Sequence, residues 1–138
     1  MAATFNKFNQ FTQDLATGKH DLSANTFKVM LTLTAPVATN SIKGDLTDIA
    51  AGNGYTAGGN SAAITSCLQT SGVLKWILAN PATWTCVTSA MASFRYASIY
   101  NDTQTSPVKP LIGWYDYGST VSLAVGEQFQ VAFDATNG

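Results

Sequence analysis

Residues 26–34 read Thr26-Phe27-Lys28-Val29-Met30-Leu31-Thr32-Leu33-Thr34, and this stretch decides the fold class. Phe27, Val29, Leu31 and Leu33 fall on one side; Thr26, Lys28, Met30 and Thr32 fall on the other. Period two belongs to a β-strand, whose successive side chains point to opposite faces. A half-buried strand with its apolar face inward is expected here, ended by Pro36, which cannot donate to a ladder.

Working outward toward the C-terminus, the same kind of pattern recurs in short pieces. Residues 41–50 suggest a helical turn, with Asp45 as a cap and Leu46 and Ile49 pointing inward. Residues 61–68 carry Ala62, Ile64 and Leu68; residues 73–79 set Leu74, Trp76 and Leu78 against Lys75. Pro81 precedes the strand-like Thr83-Trp84-Thr85-Cys86-Val87. Residues 93–100 place Phe94, Tyr96 and Tyr100 on one side and Arg95, Ala97 and Ile99 on the other. Residues 109–117, 119–125 and 127–133 predict three more strands, the last alternating Phe129, Val131 and Phe133 with Gln128 and Gln130. Short strands with turns roughly every 8–12 residues are the signature of a sandwich or barrel. The expectation is all-β: a jelly-roll-like antiparallel β-sandwich of about seven or eight strands. No linker or composition shift divides residues 1–138, so a single domain is expected.

Toward the N-terminus the period changes. Phe5, Phe8, Phe11 and Leu15 are spaced three, three and four apart, which suits one face of a helix over 5–17 that stops at Gly18. Residues 1–20 thus read either as a helix packed on the sandwich or as an apolar arm that reaches a neighbouring subunit.

Composition narrows the function classes. Of 138 residues 46% are apolar and 11% charged, and seven Lys+Arg against eight Asp+Glu leave a net charge of -1. A chain of this length can bury about two-thirds of its unfolded surface. Near-neutrality with scattered cations gives no electrostatic footprint for nucleic acid or an anionic membrane. Apolar runs fall far short of the ~18 residues of a membrane span, and no signal peptide is visible, so a protein made in a cytosol is expected. There Cys67 and Cys86 are expected as free thiols, and two Cys with one His cannot complete a zinc site without carboxylates. No cofactor or metal is expected.

Catalytic equipment is not visible. His20 is the only histidine, in a turn, where a surface or capping role is expected, and no Gly-x-Ser-x-Gly elbow accompanies it. Asp45 with Asp48, and Asp102 with Asp116, are the carboxylate pairings worth weighing for a glycosidase, and their positions at element boundaries favour turn and cap chemistry. The loop Gly52-Asn53-Gly54-Tyr55-Thr56-Ala57-Gly58-Gly59-Asn60 is built for positive φ and lacks the Gly-Lys-Ser/Thr ending of a P-loop. It reads as a contact loop, with Asn53 and Tyr55 as contacts, or as a structural crossover. Gly113-Trp114-Tyr115-Asp116-Tyr117-Gly118 is the most aromatic stretch. In an alternating strand half of such residues point inward, so Trp114 and Tyr115 read as core and strand packing, a protein interface or a stacking platform.

Several runs resemble small structural proteins of tailed bacteriophages and prophages. They are residues 27–40 from Phe27-Lys28-Val29-Met30-Leu31 through Ala35-Pro36-Val37-Ala38-Thr39-Asn40, then Ile49-Ala50-Ala51-Gly52-Asn53-Gly54-Tyr55-Thr56-Ala57-Gly58-Gly59. Arg95-Tyr96-Ala97, Tyr100-Asn101-Asp102, Lys109-Pro110-Leu111-Ile112-Gly113-Trp114 and Phe133-Asp134-Ala135-Thr136-Asn137-Gly138 continue the similarity. The resemblance implies a capsid decoration, or cement, protein without enzymatic activity. Its implied partner is the phage major capsid protein, and its implied form is a homo-oligomer, dimer or trimer. Its implied location is the capsid surface of the virion, after synthesis in the host bacterial cytoplasm. The resemblance assigns no contact residues. Phe5, Phe8 and Phe11 of the arm, Asn53 and Tyr55 of the loop, and Trp114 and Tyr115 are the candidates. The alternatives are a tail, baseplate or fibre component that touches a host-surface glycan, and a small hydrolase or isolated binding domain.

Overall fold

A computed structural model describes residues 2–138. In chain order the elements are β1 (Phe5–Lys7), α1 (Asn9–Ala16), β2 (Phe27–Thr32), β3 (Asn60–Ala62), β4 (Ile64–Thr70), β5 (Val73–Leu78), β6 (Trp84–Thr85), β7 (Phe94–Asn101), β8 (Leu111–Val121) and β9 (Gln128–Phe129). The chain is all-β with one short helix. Five strands form an antiparallel sheet in the order β1-β8-β7-β2-β3, and β4-β5 and β6-β9 form two small ribbons. Both ribbons lie against one face of the large sheet. Trp76 of β5 meets the Phe27 ring edge-on at 4.8 Å, and Phe129 of β9 meets Phe94 the same way at 4.8 Å. Between the layers Val29, Leu31, Ala97, Ile99, Ile112 and Trp84 form the main core. Each large apolar side chain removed from water there contributes about 1.5–3 kcal/mol.

The strand that decided the fold class is present, with one difference. Met30 and Thr32, expected on a solvated face, are fully buried. A second core covers that side, in which Phe8, Met30, Tyr100 and Leu111 pack with Leu46 and Trp114. It is built from the N-terminal segment and the 41–49 loop, whose irregular backbone leaves no periodic trace. Leu33 lies beyond the end of β2 and is exposed.

The N-terminal helix is shorter than its spacing predicts. Residues 5–7 are extended and pair with Gly113–Tyr115 of β8 in the register Phe5↔Tyr115 and Lys7↔Gly113. Phe8, still extended at φ −73° and ψ 143°, is the N-cap of α1. A ladder on a neighbouring strand outweighs the weak helix propensity of Phe5 and Asn6. The expected stop holds: Gly18 N–H donates to Leu15 O and Lys19 N–H to Asp14 O, a Schellman end.

Three further boundaries differ. Residues 61–68 divide at Ala63, with β3 joining β2 and β4 joining β5. Residues 109–125 hold one strand, β8, rather than two, and β9 keeps only two residues of the expected 127–133. Phe94 sits with Ala97 and Ile99, not with Tyr96 and Tyr100, because the β7–β8 register slips between Phe94↔Val121 and Tyr96↔Asp116. A bulge of this kind flips the faces that simple alternation assigns. The 41–50 turn is a single 3₁₀ turn, Lys43–Asp45, and Asp45 caps it by accepting from Ser41 N at 2.7 Å and Ile42 N at 3.2 Å.

Candidate functional site

The three arm phenylalanines separate. Phe5 is 43% exposed and its ring lies 5.5 Å from Tyr115. Phe8 is fully buried against Trp114, with ring centroids 4.5 Å apart. Phe11 is half-buried on the imidazole of His20 at 5.2 Å. Only Phe5 offers substantial surface, so the arm is a docked part of this chain's own fold.

The glycine-rich loop is a clasp. The Tyr55 hydroxyl donates to Asp48 and accepts from Leu31 N–H, and the side chain is buried. Burial, helped by Asp48, drives its phenol far above the ordinary value. The other Asp48 oxygen accepts from Gly58 N–H at 2.6 Å and faces Lys43 Nζ at 3.7 Å. Asn53, at φ 54°, donates from Nδ2 to Ala90 O at 3.1 Å. A Cβ on Gly54 would fall 1.9 Å from Thr85 O, and one on Gly59 1.8 Å from Val29 O. Backbone packs on backbone here, which only glycine permits. Tyr55 presents no surface, and the loop acts as a structural crossover.

Trp114 and Tyr115 point to opposite faces of β8, as adjacent strand residues must. Trp114 packs on Phe8 in the second core, while Tyr115 lies between Phe5 and Phe133, 6.2 Å from the latter. They cannot form one stacking platform. Burial raises the Tyr115 phenol.

Each weighed carboxylate is taken up by its own partners. Asp116 holds Arg95 in a bidentate pair at 2.7 and 2.9 Å, and the Arg95 hydrogen bonds keep its carboxyl below the usual range. Asp102 bridges Lys109 at 2.8 Å and Lys28 at 3.0 Å, and these lower it likewise, Lys109 first. Asp45 is lowered by the backbone N–H groups it caps. His20 is not the surface residue its turn suggested: it is 5% exposed, and its Nδ1 faces Asn101 Nδ2 at 3.2 Å. Cys67 and Cys86 are free thiols, as expected. Among the described residues no group of three or more His, Cys, Asp or Glu is placed to hold a metal, and no helix is long and apolar enough to cross a membrane.

Two surface features escaped the sequence reading. The distal half of the β4–β5 ribbon is exposed: residues 68–75 all face solvent, including Leu68 at 68%, Val73 at 68% and Leu74 at 50%, and Lys75 ties its base to the tail. Its signal was local, since Ser71-Gly72 between two strand-like runs is a tight hairpin turn, and both residues have positive φ. The second feature is a cavity of about 470 Å³ between the arm, β8 and the C-terminal tail, walled by Phe5, Tyr115, Tyr117, Phe129 and Phe133 with Arg95 at its side. The tail's irregular path, tied down through Phe133 N–H on Asn80 and Lys75 on Thr136 O, makes that wall.

Compared with protein-family models, with curated proteins and with solved structures, the chain matches none.

Proposed function

We propose that this chain is a capsid decoration protein that binds the outer surface of an assembled phage head and stabilises contacts between major capsid subunits. The observation that carries the reading is the exposed apolar ribbon, Leu68, Val73 and Leu74, on a body whose weighed carboxylates, Asp45, Asp48, Asp102 and Asp116, are each engaged by partners of their own. The resemblance of the 27–40, 49–59 and 109–114 runs to phage structural proteins supports the same reading. A cement function needs no chemistry. A protein that binds the assembled shell and not free subunits stabilises the shell by RT ln(1 + [L]/Kd) per site. Many modest contacts on one lattice add up without any single tight site, and a dimer or trimer of this chain multiplies the effect.

On this reading the ribbon, not the arm, makes the contact. Apolar β-ribbons with open edges can dock by side-chain burial and by strand addition. The test is co-sedimentation with heads that lack the protein, counted as copies per major capsid subunit. Saturation at a fixed ratio on expanded heads, and none on free subunits, is expected. Absence of head binding overturns the reading. A second reading is a tail, baseplate or fibre component; the aromatic cavity beside Tyr115 and Tyr117 favours it, because aromatic walls with nearby polar groups suit sugar rings. Binding to host-surface glycans and not to heads would select it.

A further inference from the structure

Where α1 meets the end of β7, three side chains form a buried polar cluster. Asn101 is fully buried, and His20 and Asp14 are 5% and 4% exposed. The orientation of Asn101 is fixed: its Oδ1 accepts from Thr103 N–H at 3.0 Å and Gln104 N–H at 3.3 Å. Its Nδ2 therefore donates: one N–H goes to Asn25 Oδ1 at 2.7 Å, and the other faces His20 Nδ1 at 3.2 Å, nearer than Lys19 O at 3.5 Å. Asn25 is fixed in turn, since its Oδ1 also accepts from Asp21 N–H at 3.0 Å. The nearer acceptor assigns His20 Nδ1 as the unprotonated nitrogen, so that the neutral ring carries its proton on Nε2. Buried His20 Nε2 and Asp14 Oδ2 have no hydrogen-bond partner among the described residues.

We propose that His20, Asn101 and Asn25 form an acid-sensitive latch: neutral His20 fastens the N-terminal segment to the end of β7, and protonated His20 releases it. A second proton can only enter at Nδ1, where N–H would then face N–H. The hydrogen bond to His20 is lost, with Lys19 O left as the acceptor for that Asn101 N–H, and a charge is added to a buried site. The charged groups around the ring do not reverse this. From α1, Asp14 favours the imidazolium, but burial outweighs it and the His20 pKa is lowered. Of the sequence neighbours, Lys19 is linked through its backbone, and Asp21 is engaged with Ser23 at the surface. Beyond Asn101, Asp102 is engaged with Lys28 and Lys109. Because the folded pKa lies below the unfolded value, the stabilisation is complete above about 6.5 and is lost as the pH falls below it. The proposal does not depend on what the chain binds.

The test uses the full chain labelled with ¹⁵N, in which the single histidine is unambiguous. Ring nitrogen shifts at pH 7.5 are expected to report the Nε2–H form, with a titration midpoint below 6.5. The folded-to-unfolded ratio is expected to fall by up to about tenfold per pH unit below 6.5, the limit for one proton. His20→Gln, which can still accept from Asn101, is expected to abolish that slope between pH 5 and 6.5. An Nδ1–H tautomer, a midpoint at or above 6.5, or an unchanged slope in the variant would overturn the latch. If His20→Gln does not fold, the wild-type tautomer and midpoint decide.

Discussion

Gly113→Ala asks whether the N-terminal arm is a docked part of the fold. Gly113 lies opposite Lys7, and a Cβ there would fall 2.2 and 2.3 Å from Phe5 ring carbons and 2.7 Å from Asn6 O. The ring can swing away, being 43% exposed, but Asn6 O is backbone, so β1 itself must shift. What is forfeited is the buried part of Phe5, roughly 100 Å², worth about 2.5 kcal/mol at ~25 cal/mol per Å². That area is an upper bound, because the unfolded chain already buries some of it, so about 2 kcal/mol is expected. Phe8→Ala empties a fully buried site and should cost about 3–5 kcal/mol. Urea unfolding at constant m-value reads both, and hydrogen exchange of the β1 amides reads the arm alone. Gly113→Ala should expose the β1 amides while the β2–β7 ladder stays protected. Because the conflict is partly with the Phe5 ring, adding Phe5→Ala should bring the pair at least ~0.5 kcal/mol below additivity. Protected β1 amides in Gly113→Ala, or a loss as large as that of Phe8→Ala, would refute this account of the arm.

Other predictions follow from the same geometry. Gly59→Ala, at φ +76° with a Cβ 1.8 Å from Val29 O, should be among the most damaging single changes, at about 4 kcal/mol or more by thermal or urea unfolding. Leu68→Lys with Val73→Lys should leave stability within about 0.5 kcal/mol, since both side chains are 68% exposed, and should abolish co-sedimentation with heads if the ribbon makes the contact. Asp102 is held below its usual range by Lys109 and Lys28, so the stability it adds is complete above about pH 4 and lost as pH falls through its folded pKa. Asp102→Asn should therefore flatten the acid limb of the stability curve below pH 4, read by denaturant midpoints, and should not change the slope between pH 5 and 6.5.

How much of this was legible depends on whether the information is local. The alternation in 26–34, the tight turn at Ser71-Gly72 and the stop at Gly18 are written in a few adjacent residues. Placement of Phe94 is not, because it depends on a register slip against β8 some 20 residues downstream. Burial of Met30 and Thr32 is not either: what covers them is irregular chain from both sides of β2. The phenylalanine spacing in 5–15 satisfies a helix, and tertiary pairing with β8 overrides it at its first residues.

The candidate contacts show the same division from the functional side. Aromatic residues mark a surface only when something keeps them off the core, and here the core takes most of them. Phe8 and Tyr55 are buried and Trp114 and Tyr115 half-buried: Phe8 and Trp114 fasten the arm to β8, and Tyr55 fastens its loop to β2 through Leu31 N–H. The exposed ribbon is marked instead by residues of ordinary type, Leu68, Val73 and Leu74, and only the place the fold gives them sets them apart. In β5 Trp76 and Leu78 are taken up by the body, Leu74 lies half-exposed in a pocket it shares with Phe5 and Tyr115, and the ribbon beyond it, through Ser71 to Leu68, is exposed. Periodicity continues where packing stops. A contact element made this way is invisible to composition and motif, and what marks it is the change from buried to exposed along one strand, from Leu78 to Val73.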